Sequence, residues 1–267
     1  SSDGNLGLEE GQKFERGGIY RFTVDVTKGN TKAVLTVEKV GKVDLPAPDI
    51  FFGNDKMEVT DTDIYKSEQA FTQGQMITVT GIDNLNEWWI DPDFFEKQSD
   101  GALKFLPING DYRVTANAVL KYFSVMALKD GKPAKLQDDG TGAIWAIGKG
   151  IGKPSVASSE VGWEPGKALC LAQVAPKKYQ LTLKAGETLK TSGDPEVISF
   201  KFFHQNDWGG EFGNYASNTL VEQLKLADSG NLEMQDNKAF EEGAVYRFTI
   251  DVTNGNANAD LKVEKIN

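Results

Sequence analysis

The chain repeats itself across almost its whole length. Residues 4–40 align without a gap on residues 230–266 at a constant offset of 226, and 20 of the 37 aligned positions are identical. The identities include Phe14/Phe240, Tyr20-Arg21-Phe22-Thr23 against Tyr246-Arg247-Phe248-Thr249, Asp25-Val26-Thr27 against Asp251-Val252-Thr253, and Val37-Glu38-Lys39 against Val263-Glu264-Lys265. Internal similarity of this kind marks a reused structural unit. The two copies stand at the ends of the chain, so the pattern is a duplicated module and not a short-period solenoid.

Within the repeat, Tyr20, Phe22, Val24 and Val26 fall on one face and Arg21, Thr23, Asp25 and Thr27 on the other. Such alternation predicts a half-buried strand. Lys28-Gly29-Asn30 turns the chain, and Ala33, Leu35 and Val37 return; in the second copy the turn holds Asn254-Gly255, a strong hairpin signal. A fainter third copy, Gly110-Asp111-Tyr112-Arg113-Val114-Thr115, has Lys121–Leu128 as its return. Each hairpin is expected to close one module. Residues 1–48 then hold the closing hairpin of a first module and a Pro-rich linker, 49–137 a small middle module, and 138–267 the last one. Gly41–Pro48 reads as linker because its two prolines favour extended, unpaired backbone. Asp130-Gly131-Lys132-Pro133 and Asp138-Asp139-Gly140 mark the second junction.

In the last module, strands are expected at Ala143–Gly148, Lys167–Val174, Lys178–Lys184, Val197–Phe203, Asn231–Met234, Ala244–Thr253 and Asn258–Ile266, with Thr219–Leu226 either a short helix or a further strand. About seven short strands with turns between them argue for an antiparallel sandwich. The predicted fold class is all-β, a tandem of antiparallel β-sandwich modules.

Composition removes several functions. The net charge is −10, and no basic stripe exists to displace counterions from a phosphate backbone, so a nucleic-acid partner is not expected. No apolar run approaches the roughly 20 residues of a membrane-crossing helix. No signal peptide is visible, so a chain starting at Ser1 is either cytosolic or already trimmed. With Cys170 and His204 as the only cysteine and histidine, no internal disulfide and no Cys/His zinc site can form. Asp91-Pro92-Asp93 and Asp61-Thr62-Asp63 lack calcium-loop spacing, and neither a metal nor a cofactor is expected. No Gly-x-Ser-x-Gly elbow precedes a helix to use His204. Paired carboxylates for glycoside hydrolysis have no support beyond the abundance of Asp and Glu, and the chain reads as a binder and not an enzyme.

The tryptophans carry the chemical signal. Trp163 and Trp208 lie in polar, Gly-flanked loops, the latter in His204-Gln205-Asn206-Asp207-Trp208-Gly209-Gly210. Sugar rings present apolar C–H faces edged by hydroxyls, so a site for them needs an aromatic platform flanked by Asn, Asp, Gln, Lys or Arg. Trp208 with Asn206 and Asp207 has these ingredients, and Trp163 with Glu164 and Lys167 supplies a second wall. Lys201 alternates with Phe200 and Phe202, so it points away from their core and is free to donate to hydroxyls. Trp145 sits in an apolar strand and reads as core, as does Cys170. Of the adjacent Trp88 and Trp89, alternation makes one core and the other a candidate contact.

These motifs resemble a known family. Ile144-Trp145-Ala146-Ile147-Gly148, Gly162-Trp163, Ser199-Phe200-Lys201-Phe202-Phe203 with Asn206-Asp207-Trp208-Gly209, and the closing Ala244–Asp251 strand are similar, in that order, to the SusE/SusF-like surface glycan-binding lipoproteins of glycan-foraging Gram-negative bacteria. The resemblance covers the last module, the middle one through Val79-Thr80-Gly81, Glu87-Trp88-Trp89 and Gly110–Thr115, and only the hairpin at the start. It implies tandem Ig-like or starch-binding-like sandwiches that hold polysaccharide or oligosaccharide at the outer membrane without catalysis. It also implies an outer-membrane glycan-transporter partner and a lipid anchor upstream of Ser1. Trp163, Lys201 and Trp208 are the implied sugar contacts. The middle module lacks the Phe-Lys-Phe strand and reads equally as a spacer. A structural spacer or protein-docking unit is the alternative for the whole chain.

Overall fold

The computed structural model of the chain describes residues 14–29, 32–192 and 197–267. The opening stretch of the repeat and the turn residue Asn30 lie outside them. The chain is all-β, with 47% of it in strands. It begins with an antiparallel hairpin of β1 (Gly18–Asp25) and β2 (Val34–Lys42).

The middle module is built on a sheet that includes β3 (Ile64–Phe71), β5 (Gly110–Asn117) and β6 (Tyr122–Lys129), with Glu58–Asp61 and Lys132–Pro133 at its edges. Smaller sheets face it, one centred on β4 (Leu103–Phe105) and one on Phe51–Phe52. Inward alternation brings their aromatics together: Phe71 stacks on Phe105 at 4.8 Å between ring centroids, and Phe52 meets Phe123 at 5.3 Å. Such pairs add to burial energy. Asp130-Gly131-Lys132-Pro133 is not a module junction. Asp130 and Gly131 both take positive φ, the geometry of a two-residue hairpin turn, and Lys132 pairs back on Lys129.

The last module is a sandwich of two sheets. One has β7 (Trp145–Gly152) at its centre, between Glu160–Gly162 and a run of strands that continues with β9 (Ser199–Phe203), β10 (Leu232–Met234) and Leu224–Leu226. The other runs Ala172–Ala175, β8 (Lys178–Lys184), β11 (Val245–Asp251), β12 (Asp260–Lys265) and Ser217–Thr219. Phe200 and Phe202 of the first sheet pack on Phe248 of the second at 5.5 and 6.4 Å. Thr219–Leu226 is not helical; its ends belong to two short strands. Ser217–Thr219 adds to β12 in parallel, whereas the other named strands of this module pair antiparallel among the described residues.

The two copies of the repeat fold alike. β1–β2 and β11–β12 share one register, with Phe22 opposite Val37 and Phe248 opposite Val263. Their settings differ. β11 lies between β8 and β12, and Phe248 and Ile250 are both 0% exposed, whereas their counterparts Phe22 and Val24 are 52% and 60% exposed.

The middle and last modules share one connected apolar core. Backbone bonds join them, Ile108 N–H to Gln173 O and Leu136 N–H to His204 O, both 2.8 Å. The buried Trp145 donates its indole N–H to Ala134 O at 3.0 Å. At the centre of the junction Lys153 Nζ reaches both carboxylate oxygens of Asp91 at 2.9 and 2.8 Å and Asp93 Oδ2 at 3.1 Å, with all three side chains buried. Asp93 also accepts from the Thr182 amide and hydroxyl, both at 2.6 Å, and from Gln180 at 2.7 Å. Burial works against the Asp93 charge, but Lys153, Thr182 and Gln180 outweigh it and hold its carboxyl below the ordinary range. Burial and the neighbouring Asp93 make Asp91 the weaker acid, although Lys153 partly offsets them.

Candidate functional site

The face of β7 and β9 opposite the sandwich core carries the surface tryptophans. Register places Trp145 beside Phe203 and Ile147 beside Lys201, so these four share that face, while Phe200 and Phe202 point into the sandwich. Trp208 meets Phe203 edge-on at 6.0 Å. Trp163 lies nearly parallel to Trp208, with ring centroids 6.3 Å apart and an interplanar angle of 26°. Trp163 is half-buried against the core, and Trp208 is 50% exposed. The structure therefore brings together two indoles separated by 45 positions in the chain, and its strand register sets Lys201 on the same face.

Local chemistry sets the backbone that carries each ring. β9 ends in a tight loop that closes when the His204 amide donates to Gly210 O at 2.7 Å. Gly209 and Gly210 have φ of +84° and +69°, where side chains are disfavoured. The Trp208 amide donates to Asp207 Oδ1 at 2.7 Å, and Gln205 Nε2 donates to Trp208 O at 2.6 Å. Asn206 Oδ1 and His204 Nε2 are buried with no hydrogen-bond partner among the described residues. The His204 ring packs edge-on against Phe212 at 4.2 Å, and burial lowers its pKa.

Trp163 follows the strand Glu160–Gly162, which runs beside β7 through a Gly148–Gly162 pair. Gly148 is needed there. A Cβ on it would lie 2.3 Å from Phe200 Cα, and its φ is +141°. The turn at Pro165–Lys167 then carries the chain away, with Lys167 paired to Glu164 at 2.9 Å.

A polar groove of about 640 Å³ lies beside Trp163, lined by its chain neighbours Gly162 and Glu164 and by Lys149, Glu160, Lys167 and Lys190. Burial works against the Glu160 charge, but the Gly150 amide and Lys190 hold its carboxyl below the ordinary range. Glu160 and Lys167 also line a hollow of about 550 Å³ at the module junction, above Lys153 and Asp91.

The other candidates lie elsewhere. Trp88 is 8% exposed and stacks on Phe123 at 4.5 Å, so it is a core residue with no face for a ligand. Trp89 donates its indole N–H to Glu187 Oε1 at 2.6 Å and meets Tyr122 edge-on, which makes it a junction residue. The pair follows a short 3-10 turn, Leu85–Glu87, and not a strand. Asp91 and Asp93 serve the buried ion triplet, and Asp63 pairs with Arg16. Lys153 is the residue that sequence reading missed; its one cue was a lysine at the end of an apolar, glycine-rich run.

These features define a class: an all-β sandwich protein whose last module presents paired, partly exposed indoles beside a polar groove. Residues 1–27 and 139–253, more than half of the chain, match the model of a family described as a domain of unknown function, DUF5121, and the chain belongs to that family. Residues 43–136 match a second model, DUF5125, also described as a domain of unknown function. No curated protein matches the chain.

Proposed function

We propose that this protein binds polysaccharide or oligosaccharide without catalysis, at the bacterial cell surface, as part of a glycan-uptake system. The observation that carries the reading is the Trp163–Trp208 pair, near-parallel and half-open to solvent, with a groove beside Trp163 and Lys201 on the same face of the sheet as Phe203, which Trp208 meets. Adjacent indoles offer an apolar floor for the C–H faces of sugar rings, and the exposed Lys167, Glu164 and Asp207 stand near enough in the chain to meet hydroxyls. The resemblance to SusE/SusF-like lipoproteins supports an outer-membrane setting, a transporter partner and a lipid anchor upstream of Ser1. A single shallow platform binds weakly, and neighbouring modules add avidity.

Affinity electrophoresis through gels containing candidate polysaccharides tests the proposal. Trp208→Ala is expected to weaken retention on the order of tenfold or more, as removal of a central aromatic anchor does, with the melting temperature unchanged. Equal retention of wild type and variant on a glycan that the wild type binds would sink it. For the middle module the spacer reading is favoured, because Trp88 and Trp89 are engaged in core and junction.

A further inference from the structure

The first hairpin is folded for a core that the described residues do not supply. We infer that residues 14–43 are the closing hairpin of a second sandwich body of the DUF5121 kind, and that a body built like residues 139–229 covers the exposed face of β1 and β2.

The correspondence with the second copy extends to single interactions. Phe14 meets Tyr20 at 4.6 Å and 67°, and Phe240 meets Tyr246 at 4.6 Å and 66°. Gly17 and Gly243 have φ of +72° and +80°, and Gly29 and Gly255 have +91° and +96°. Glu15 pairs with Lys39 as Glu241 pairs with Lys265. The amides of Thr27 and Thr253 donate to Asp25 and Asp251, each at 2.9 Å. What the first copy lacks is the cover. In the last module β8 pairs with β11 through seven residue pairs, and Phe200 and Phe202 close over Phe248. Among the described residues no strand pairs with the outer edge of β1, and Phe22, Val24, Val26, Leu35 and Val37 are all exposed.

An unpaired strand edge beside a continuous apolar face is an aggregation template unless something pairs with it. The retained inward positions say what that something is. Phe22, Val26, Leu35 and Val37 are identical to Phe248, Val252, Leu261 and Val263, and Val24 replaces Ile250. A surface that keeps the shape of a closing hairpin fits the body that such a hairpin closes. The family match agrees with this, because residues 1–27 match the model that also covers 139–253. An intact second copy of this chain is a poor occupant, since its β8 edge is already taken by β11. The inference does not rest on sugar binding.

The test joins a second copy of residues 139–229 directly ahead of Gly4 in the full chain, so that Gly4 follows it as Gly230 follows residue 229. Hydrogen exchange by mass spectrometry then compares residues 20–26 with residues 246–252. Exchange at 20–26 is expected to slow on the order of a hundredfold or more relative to the unfused chain, and Phe22→Asp with Val24→Asp is expected to reverse this without touching 246–252. Should the added body fail to fold, a second variant decides. On a Cys170→Ala background, Phe248→Asp with Ile250→Asp expels the native closing hairpin. Thr23→Cys is then expected to cross-link through a bismaleimide to Gln180→Cys, the partner of Thr249 in the native register. Unchanged exchange in a folded fusion overturns the inference, as does an absent cross-link if the fusion does not fold. It is equally overturned if the unfused chain is a dimer that Phe22→Asp makes monomeric, because the occupant is then a second copy.

Discussion

Replacing Lys153 by methionine tests the account of the module junction. The ammonium holds two carboxylates in a buried site, with contacts of 2.8, 2.9 and 3.1 Å. Methionine keeps most of the side-chain volume but leaves Asp91 and Asp93 facing each other. Removing one partner from a buried ion pair costs about 3–5 kcal/mol. At roughly 2–4 °C per kcal/mol for a chain near this size, the melting temperature should fall by roughly 6–20 °C. The deficit should depend on pH. Burial already raises the Asp91 pKa, and loss of the ammonium raises it further. A carboxyl with a raised folded-state pKa contributes stability when protonated and loses it as pH rises through the folded value. The gap between variant and wild type should therefore narrow as pH falls from neutrality towards the acid range. Adding Asp91→Asn should recover at least about 1 kcal/mol, because Asp93 keeps its Thr182 and Gln180 donors. Differential scanning calorimetry across pH reads all three effects. A Lys153→Met protein that melts with the wild type at neutral pH would refute the reasoning, because the ammonium would then not be what offsets the two buried carboxylates.

Other outcomes follow from the same structure. Gly148→Ala drives a Cβ to 2.3 Å from Phe200 Cα at a φ of +141° and should cost at least about 3 kcal/mol in urea unfolding, overpacking and backbone strain acting together. Burial lowers the pKa of His204, so the unfolded chain takes up the proton first. The stability that its neutral ring contributes is complete above the ordinary value of 6.5 and declines as pH falls below it; His204→Phe should flatten that part of a melting-temperature profile. Burial pushes the Cys170 thiol up to about 12, so an aromatic disulfide reagent at mildly alkaline pH should label it only after denaturant is added.

Period-two alternation made most strands legible. Tyr179, Leu181 and Leu183 predicted Lys178–Lys184 to the residue, and the repeat predicted both end hairpins. The pattern tells which face is apolar and says nothing of what lies against it. Phe22 and Phe248 therefore read alike, though one is half-exposed and the other sealed. The Trp163–Trp208 contact could be suspected from loop composition, but its near-parallel geometry depends on strand register across 45 positions. The Lys153 triplet was illegible because Lys153 stands 62 and 60 residues from Asp91 and Asp93 and charged residues are usually solvated. Alternation rightly made one of Trp88 and Trp89 core, but it could not show that the other, Trp89, is engaged by Glu187 from 98 positions away.

The loop that carries Trp208 is tied at three points, through Asp207, Gln205 and the His204–Gly210 bond. A loop tied this way has little backbone freedom left to lose when something settles on its indole, since that ordering was completed when the chain folded. Association with such a surface avoids much of the entropic penalty that a floppy contact incurs, and a shallow perch of this kind favours quick capture and quick release.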